Sequence, residues 1–71
     1  MSNPMDRYWE QMRQNTLVVL DEKLTRLLQK GDEWEEALTK CDFEISQAMM
    51  RGNSHQEVFD RLVEVFVREL A

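Results

Sequence analysis

The sequence predicts an all-α protein: a small three-helix bundle, or a helical hairpin with a third helix laid against it, paired with a second copy of itself. Three observations carry that expectation. Only two glycines and one proline occur in 71 residues rich in helix formers, a composition opposed to β-proteins and to disordered chains. Gly31 and Gly52 each follow a cation, Lys30 and Arg51, and a basic last turn with glycine beyond it is how helices tend to stop. Between those stops the apolar residues recur at helical spacing. The length gives one domain, residues 1–71, and so short a chain buries only about 60% of its unfolded surface. With a single cysteine no intrachain disulfide is possible, which leaves an idealised core or self-association as the source of stability.

The first helix is expected over residues 4–30, with Asn3 as a capping side chain and Pro4 at the first helical position, where its missing N–H costs nothing. At about 100° per residue, Met5, Tyr8, Trp9, Met12, Val19, Leu20, Leu24 and Leu27 share one broad face and read as core. The second helix is expected over 33–51. Asp32 with Glu35 has the spacing of a capping box, and Trp34, Ala37, Leu38, Cys41, Ile45, Ala48 and Met49 form its core stripe. Cys41 lies in the middle of that stripe and reads as a small buried hydrophobe, not a nucleophile. The third helix is expected over 55–70, opened by Ser54 with Glu57. The connections are short, so successive helices should run near-antiparallel or meet at sharp angles.

Two groups of apolar residues are left over. Phe43 and Met50 are seven residues apart and project away from the second helix's core stripe, a pair spaced to form one binding patch. On the third helix Val58, Phe59, Leu62, Val63, Val65, Phe66, Val67 and Leu70 cover an arc of about 160–200°. A helix packed on one layer needs a stripe of about 100° or a little more. The surplus would be buried by a position between the other two helices, or by a counterpart helix in a second chain. The latter is the expectation, with Val58, Leu62, Val65 and Phe66 at the homodimer interface.

The net charge of −5 is concentrated. Asp32, Glu33, Glu35, Glu36, Asp42 and Glu44 face Lys40 alone, while the rest of the chain carries eight charges of each sign. Acids in a first turn suit the helix dipole. The same edge, at Asp32, Glu33 and Glu36, would also steer a partner with a basic surface. Elsewhere Glu22–Arg26, Glu36–Lys40, Glu57–Arg61 and Glu64–Arg68 have the favourable four-residue spacing of intrahelical ion pairs.

No catalytic constellation is present. The sequence has no glycine-rich phosphate loop, no H-E-x-x-H and no nucleophile elbow. His55, the only histidine, stands in a capping environment beside Ser54, Gln56 and Glu57. No enzyme activity, cofactor or metal is therefore expected. No apolar stretch approaches the ~20 residues of a membrane span, and the N-terminus lacks the order of a secretory signal, so the chain is expected in the cytoplasm.

One motif points elsewhere. Ala48, Gly52, Ser54 and Val58 resemble, in register, the alanine, turn glycine, serine and buried valine of a helix-turn-helix over residues 45–62. That resemblance implies a small DNA-binding regulator. Asn53 stands where the motif carries an apolar residue, and Glu57, Asp60 and Glu64 lie on the would-be recognition helix with only Arg61 and Arg68 as cations. Such a helix would repel the phosphates it has to neutralise. The expected function is accordingly a non-enzymatic protein-binding module acting through helix surfaces, as an adaptor, a small chaperone or an inhibitor. Its special case is a phage- or plasmid-encoded inhibitor whose acidic segment mimics DNA locally.

Overall fold

The computed structural model describes residues 4–70 as four helices. They are α1 (Pro4–Gln29), α2 (Trp34–Lys40), α3 (Asp42–Met50) and α4 (His55–Leu70). The expected all-α class holds, and the expected second helix is broken in two. The proposed cap at Asn3 lies outside the described residues, while Pro4 does open α1.

Both glycine stops form as anticipated. Gly31 has φ +97° and Gly52 φ +94°, the left-handed conformation that glycine adopts without steric cost. At the first stop the Gly31 N–H donates to the Leu28 carbonyl and the Asp32 N–H reaches back to Leu27, both at 3.1 Å. At the second, Gly52 donates to Met49 and Asn53 to Ala48 at 3.2 and 3.1 Å. Two Schellman motifs therefore end α1 and α3. Asn53 strengthens the second: it is buried, and its side-chain Nδ2 donates to the same Ala48 oxygen at 2.9 Å. The residue that spoils the helix-turn-helix pattern thus serves as the lock of the α3–α4 corner.

The helix starts depart from expectation in part. Ser54 caps α4, accepting the Glu57 N–H at 3.1 Å, but the Glu57 carboxylate does not reciprocate and pairs with Arg13 of α1 instead. Glu33, not Asp32, is the residue flanking α2, and it makes no side-chain cap. Asp32 is drawn away by the Lys40 ammonium at 2.7 Å.

The break at Cys41 falls between a basic last turn, Lys40, and an acidic first turn, Asp42 and Glu44. Each end suits the dipole of its own short helix. The Cys41 N–H is shared between the carbonyls of Ala37 and Leu38 at 3.0 and 3.1 Å. The bend lets both pieces stay on α1: Ala37, Cys41 and Ala48 are all fully buried.

α1 is the axis of the molecule, touching each of the other helices. The core is Leu20, Leu24 and Leu28 of α1 with Ala37, Cys41, Ala48, Val58 and Val65, and Leu17, Leu27, Trp34, Leu38, Ile45 and Leu62 pack around it. Two assignments need correcting. Met49 is exposed. More substantially, Met5, Tyr8 and Trp9 are exposed, because the first two turns of α1 project beyond the bundle, and Val19 is exposed because it lines an open groove beside α3. Every residue from 4 to 11 is exposed. α1 has 26 residues and α4 has 16, so at 1.5 Å per residue α1 outruns its longest neighbour by about 15 Å. The longest dimension of the molecule, 46 Å against 21 and 19 Å across, reflects that overhang.

Charge sutures α4 to α1. Asp21 accepts hydrogen bonds from Arg61 Nη2 at 2.8 Å and from Arg68 Nη2 at 2.6 Å. Arg68 also donates to Thr25 at 2.9 Å and to Glu69 at 3.2 Å. The intrahelical pairs expected for Arg61, Arg68 and Lys40 give way to longer-range partners, Asp21 on α1 for the arginines and Asp32 in the α1–α2 connection for the lysine, since an acid mostly out of water holds a cation better than a solvated one.

Candidate functional site

Among the described residues no group of three or more His, Cys, Asp or Glu is placed to hold a metal ion. His55 is exposed at the start of α4. Cys41 is fully buried, and its thiol is pushed up by burial and by the nearby Glu44 charge, with Lys23 opposing. That leaves it protonated and unreactive. The features that remain are surfaces.

Of the four residues expected at a dimer interface on the last helix, two are taken up by the chain's own core. Val58 and Val65 are buried, Leu62 packs against the core, and the Phe66 ring meets Trp34 edge-on at 4.6 Å. Val58 and Val65 therefore face the core of their own chain, while Leu62 and Phe66 are half-buried at its margin. The surplus of α4 is its other side: Phe59, Val63, Val67 and Leu70, all exposed. Outward charges beside this ridge are negative. Asp60 accepts only a neutral donor, Gln56, at 2.8 Å, and Glu64 lies 3.8 Å from an Arg61 already committed to Asp21.

The Trp34–Phe66 contact ties the start of α2 to the C-terminal half of α4, and the acidic edge begins there. Of its six acids, two are neutralised within the fold: Asp32 by Lys40 and Glu44 by Lys23, the latter at 2.9 Å. Asp32 is therefore not a free contact for a partner, unlike the expectation. Glu33, Glu35, Glu36 and Asp42 are exposed and form no ion pair with the described residues.

Phe43 and Met50 are both exposed on α3, 68% and 78%, and only Phe43 reaches the groove beside it. Phe43 lines a groove between α1 and α3 with Met12, Asn15, Thr16, Val19, Glu44, Gln47 and Arg51, and Met50 stands outside it. The groove volume is about 380 Å³. Its α1 wall continues without a break into the overhang, where Tyr8 (56% exposed) and Trp9 (51%) hold each other edge-on at 5.7 Å. This second surface went unnoticed in the sequence because its α1 residues read as core. The signal that could have found it is the length of the first helix against that of the last.

Compared with protein-family models, with curated proteins and with solved structures, the chain matches none. Its function must be argued from these two surfaces.

Proposed function

We propose that the chain is a non-enzymatic protein-binding module of the adaptor, small-chaperone or inhibitor type that works as a homodimer. One observation carries the reading: a chain with a complete internal core still displays two separate apolar stripes, one on α4 and one along α1 and α3. Exposed apolar surface arranged in rows, not scattered singly, marks interaction sites. Two such rows allow one for self-pairing and one for a partner.

The partner surface is the α4 ridge with the acidic start of α2. Phe59, Val63 and Val67 supply apolar area, and Asp60, Glu64, Glu33 and Glu36 surround it with negative charge. That chemistry suits an apolar helix or strand bordered by lysine and arginine. The alternative of a helix-turn-helix draws on the burial of Ala48 and Val58 and on Gly52 at the turn. Even so, the face that would enter the groove of DNA carries Phe59, Asp60, Val63 and Glu64, which favours protein over phosphate backbone.

Affinity capture from the producing cell tests the reading when run with the wild type, Val63→Asp and the double reversal Glu33→Lys, Glu36→Lys. The expected outcome is a protein captured at low salt, reduced by the reversal and lost with Val63→Asp. Capture indifferent to both variants rejects this surface.

A further inference from the structure

We infer that the groove between α1 and α3 receives the overhang of α1 from a second copy, in an antiparallel pairing whose two-fold axis passes by Met12. The inference rests on the homodimer part of the reading above and names the face that makes it.

At 100° per residue, Met5, Tyr8, Trp9, Asn15, Thr16 and Val19 all lie within about 60° of Met12. The seam is therefore one stripe about 21 Å long, and no residue in it is charged. It is also self-complementary. In an antiparallel pair centred on Met12, the partner's Trp9 lies opposite Asn15 and the partner's Tyr8 opposite Thr16. The two large rings of one copy meet the two small polar side chains of the other, which is knob against hole. Those two small residues line the groove together with Met12, Val19 and Phe43, and Glu44, Gln47 and Arg51 form its polar side.

The sizes agree. A cavity of about 150 Å³ holds one benzene ring, so a groove of about 380 Å³ has room for two rings, and the overhang carries two, already packed together. The aromatic rings supply a large share of the area as well. A specific interface takes about 800 Å² from each partner. Tyr8 and Trp9, a little over half exposed, and Phe43, two-thirds exposed, bring about 350 Å². Met12, Val19 and the stems of the flanking polar residues add to that.

Charge separates this face from its rival. The charged side chains that line the groove are Glu44 and Arg51, one of each sign, so a copy meets no net repulsion. The α4 ridge has Asp60 and Glu64, and pairing it with itself would bring acids toward acids. One surface tolerates its own copy and the other selects something basic.

Sedimentation of the full chain and mild oxidation of single-cysteine variants decide the matter. Buried Cys41 makes the wild type the blank. We expect a wild-type dimer at tens of micromolar, weakened about thirtyfold or more by Trp9→Asp or Phe43→Asp, as for hot-spot aromatics, with helix content by circular dichroism unchanged. Met12→Cys should give a covalent dimer across the axis, where facing Cα atoms come within disulfide reach, and Val63→Cys should not. A dimer that crosslinks through Val63→Cys and not Met12→Cys overturns this pairing and leaves the homodimer standing. A wild-type monomer at high micromolar concentration overturns both.

Discussion

Asp21 accepts from two arginines of α4 while its side chain is only 18% exposed. Burial alone would raise its pKa. The hydrogen bond from Arg68, the charges of Arg61 and Arg68 and the Thr25 hydroxyl outweigh that and hold the carboxyl below its ordinary 3.8. A group with a depressed folded pKa stabilises fully above its unfolded value, and the contribution is lost as pH falls through the folded pKa. Asp21→Asn should therefore be about 1–2 kcal/mol less stable than wild type near pH 6, the worth of a charge-assisted hydrogen bond. Urea midpoints measured down the pH scale should converge below the ordinary carboxylate pKa. A gap between the two proteins that stays constant to pH 2.5 would show that Asp21 stabilises by packing and not by charge.

At the scale of elements, α1 has two halves with different duties. Its C-terminal half supplies Leu20, Leu24 and Leu28 to the core, and its first two turns supply nothing to it. Removing residues 1–9 should shift the melting temperature by less than about 4 °C, since surface changes stay within about 0.5 kcal/mol. Leu24→Ala should cost about 3 kcal/mol. Calorimetry at dilutions that keep both chains monomeric makes the comparison. A large loss from the truncation would mean that the overhang supports the bundle. The same division explains what could be read from residues alone. Gly31, Gly52 and Ser54 announced helix ends because each acts through its own backbone. The stripe from Met5 to Met12 was misread because periodicity marks an apolar face without saying what covers it. Cys41 hid its bend because neither glycine nor proline stands near it; only the order of charge, Lys40 then Asp42, marked the place. Val58 and Val65 were placed on the wrong side of α4 because an arc that wide offers no single direction to the core.

For the whole molecule, net charge and apolar surface are distributed so that the two proposed associations should respond differently to salt. The seam on α1 is uncharged and its flanks balance, while Glu33, Glu35, Glu36 and Asp42 leave one edge strongly negative. Raising sodium chloride from 50 to 500 mM shortens the screening length from about 14 to about 4 Å. The dimerisation constant should then change less than about threefold, and capture of a basic partner should fall about tenfold or more. Sedimentation and binding measured across the same salt series check this. Parallel losses in both would mean that the two associations share one surface.

The two projecting turns of α1 have a consequence for the lifetime of the chain. A helix end that projects past the core opens at little free-energy cost, and this one presents Tyr8 and Trp9 to solvent. A protease that cuts after aromatic residues meets them first and need not wait for the bundle to unfold. A second copy seated over that end would close the scissile bonds. Abundance in the cell would then track occupancy, with unpaired chains trimmed and paired ones spared.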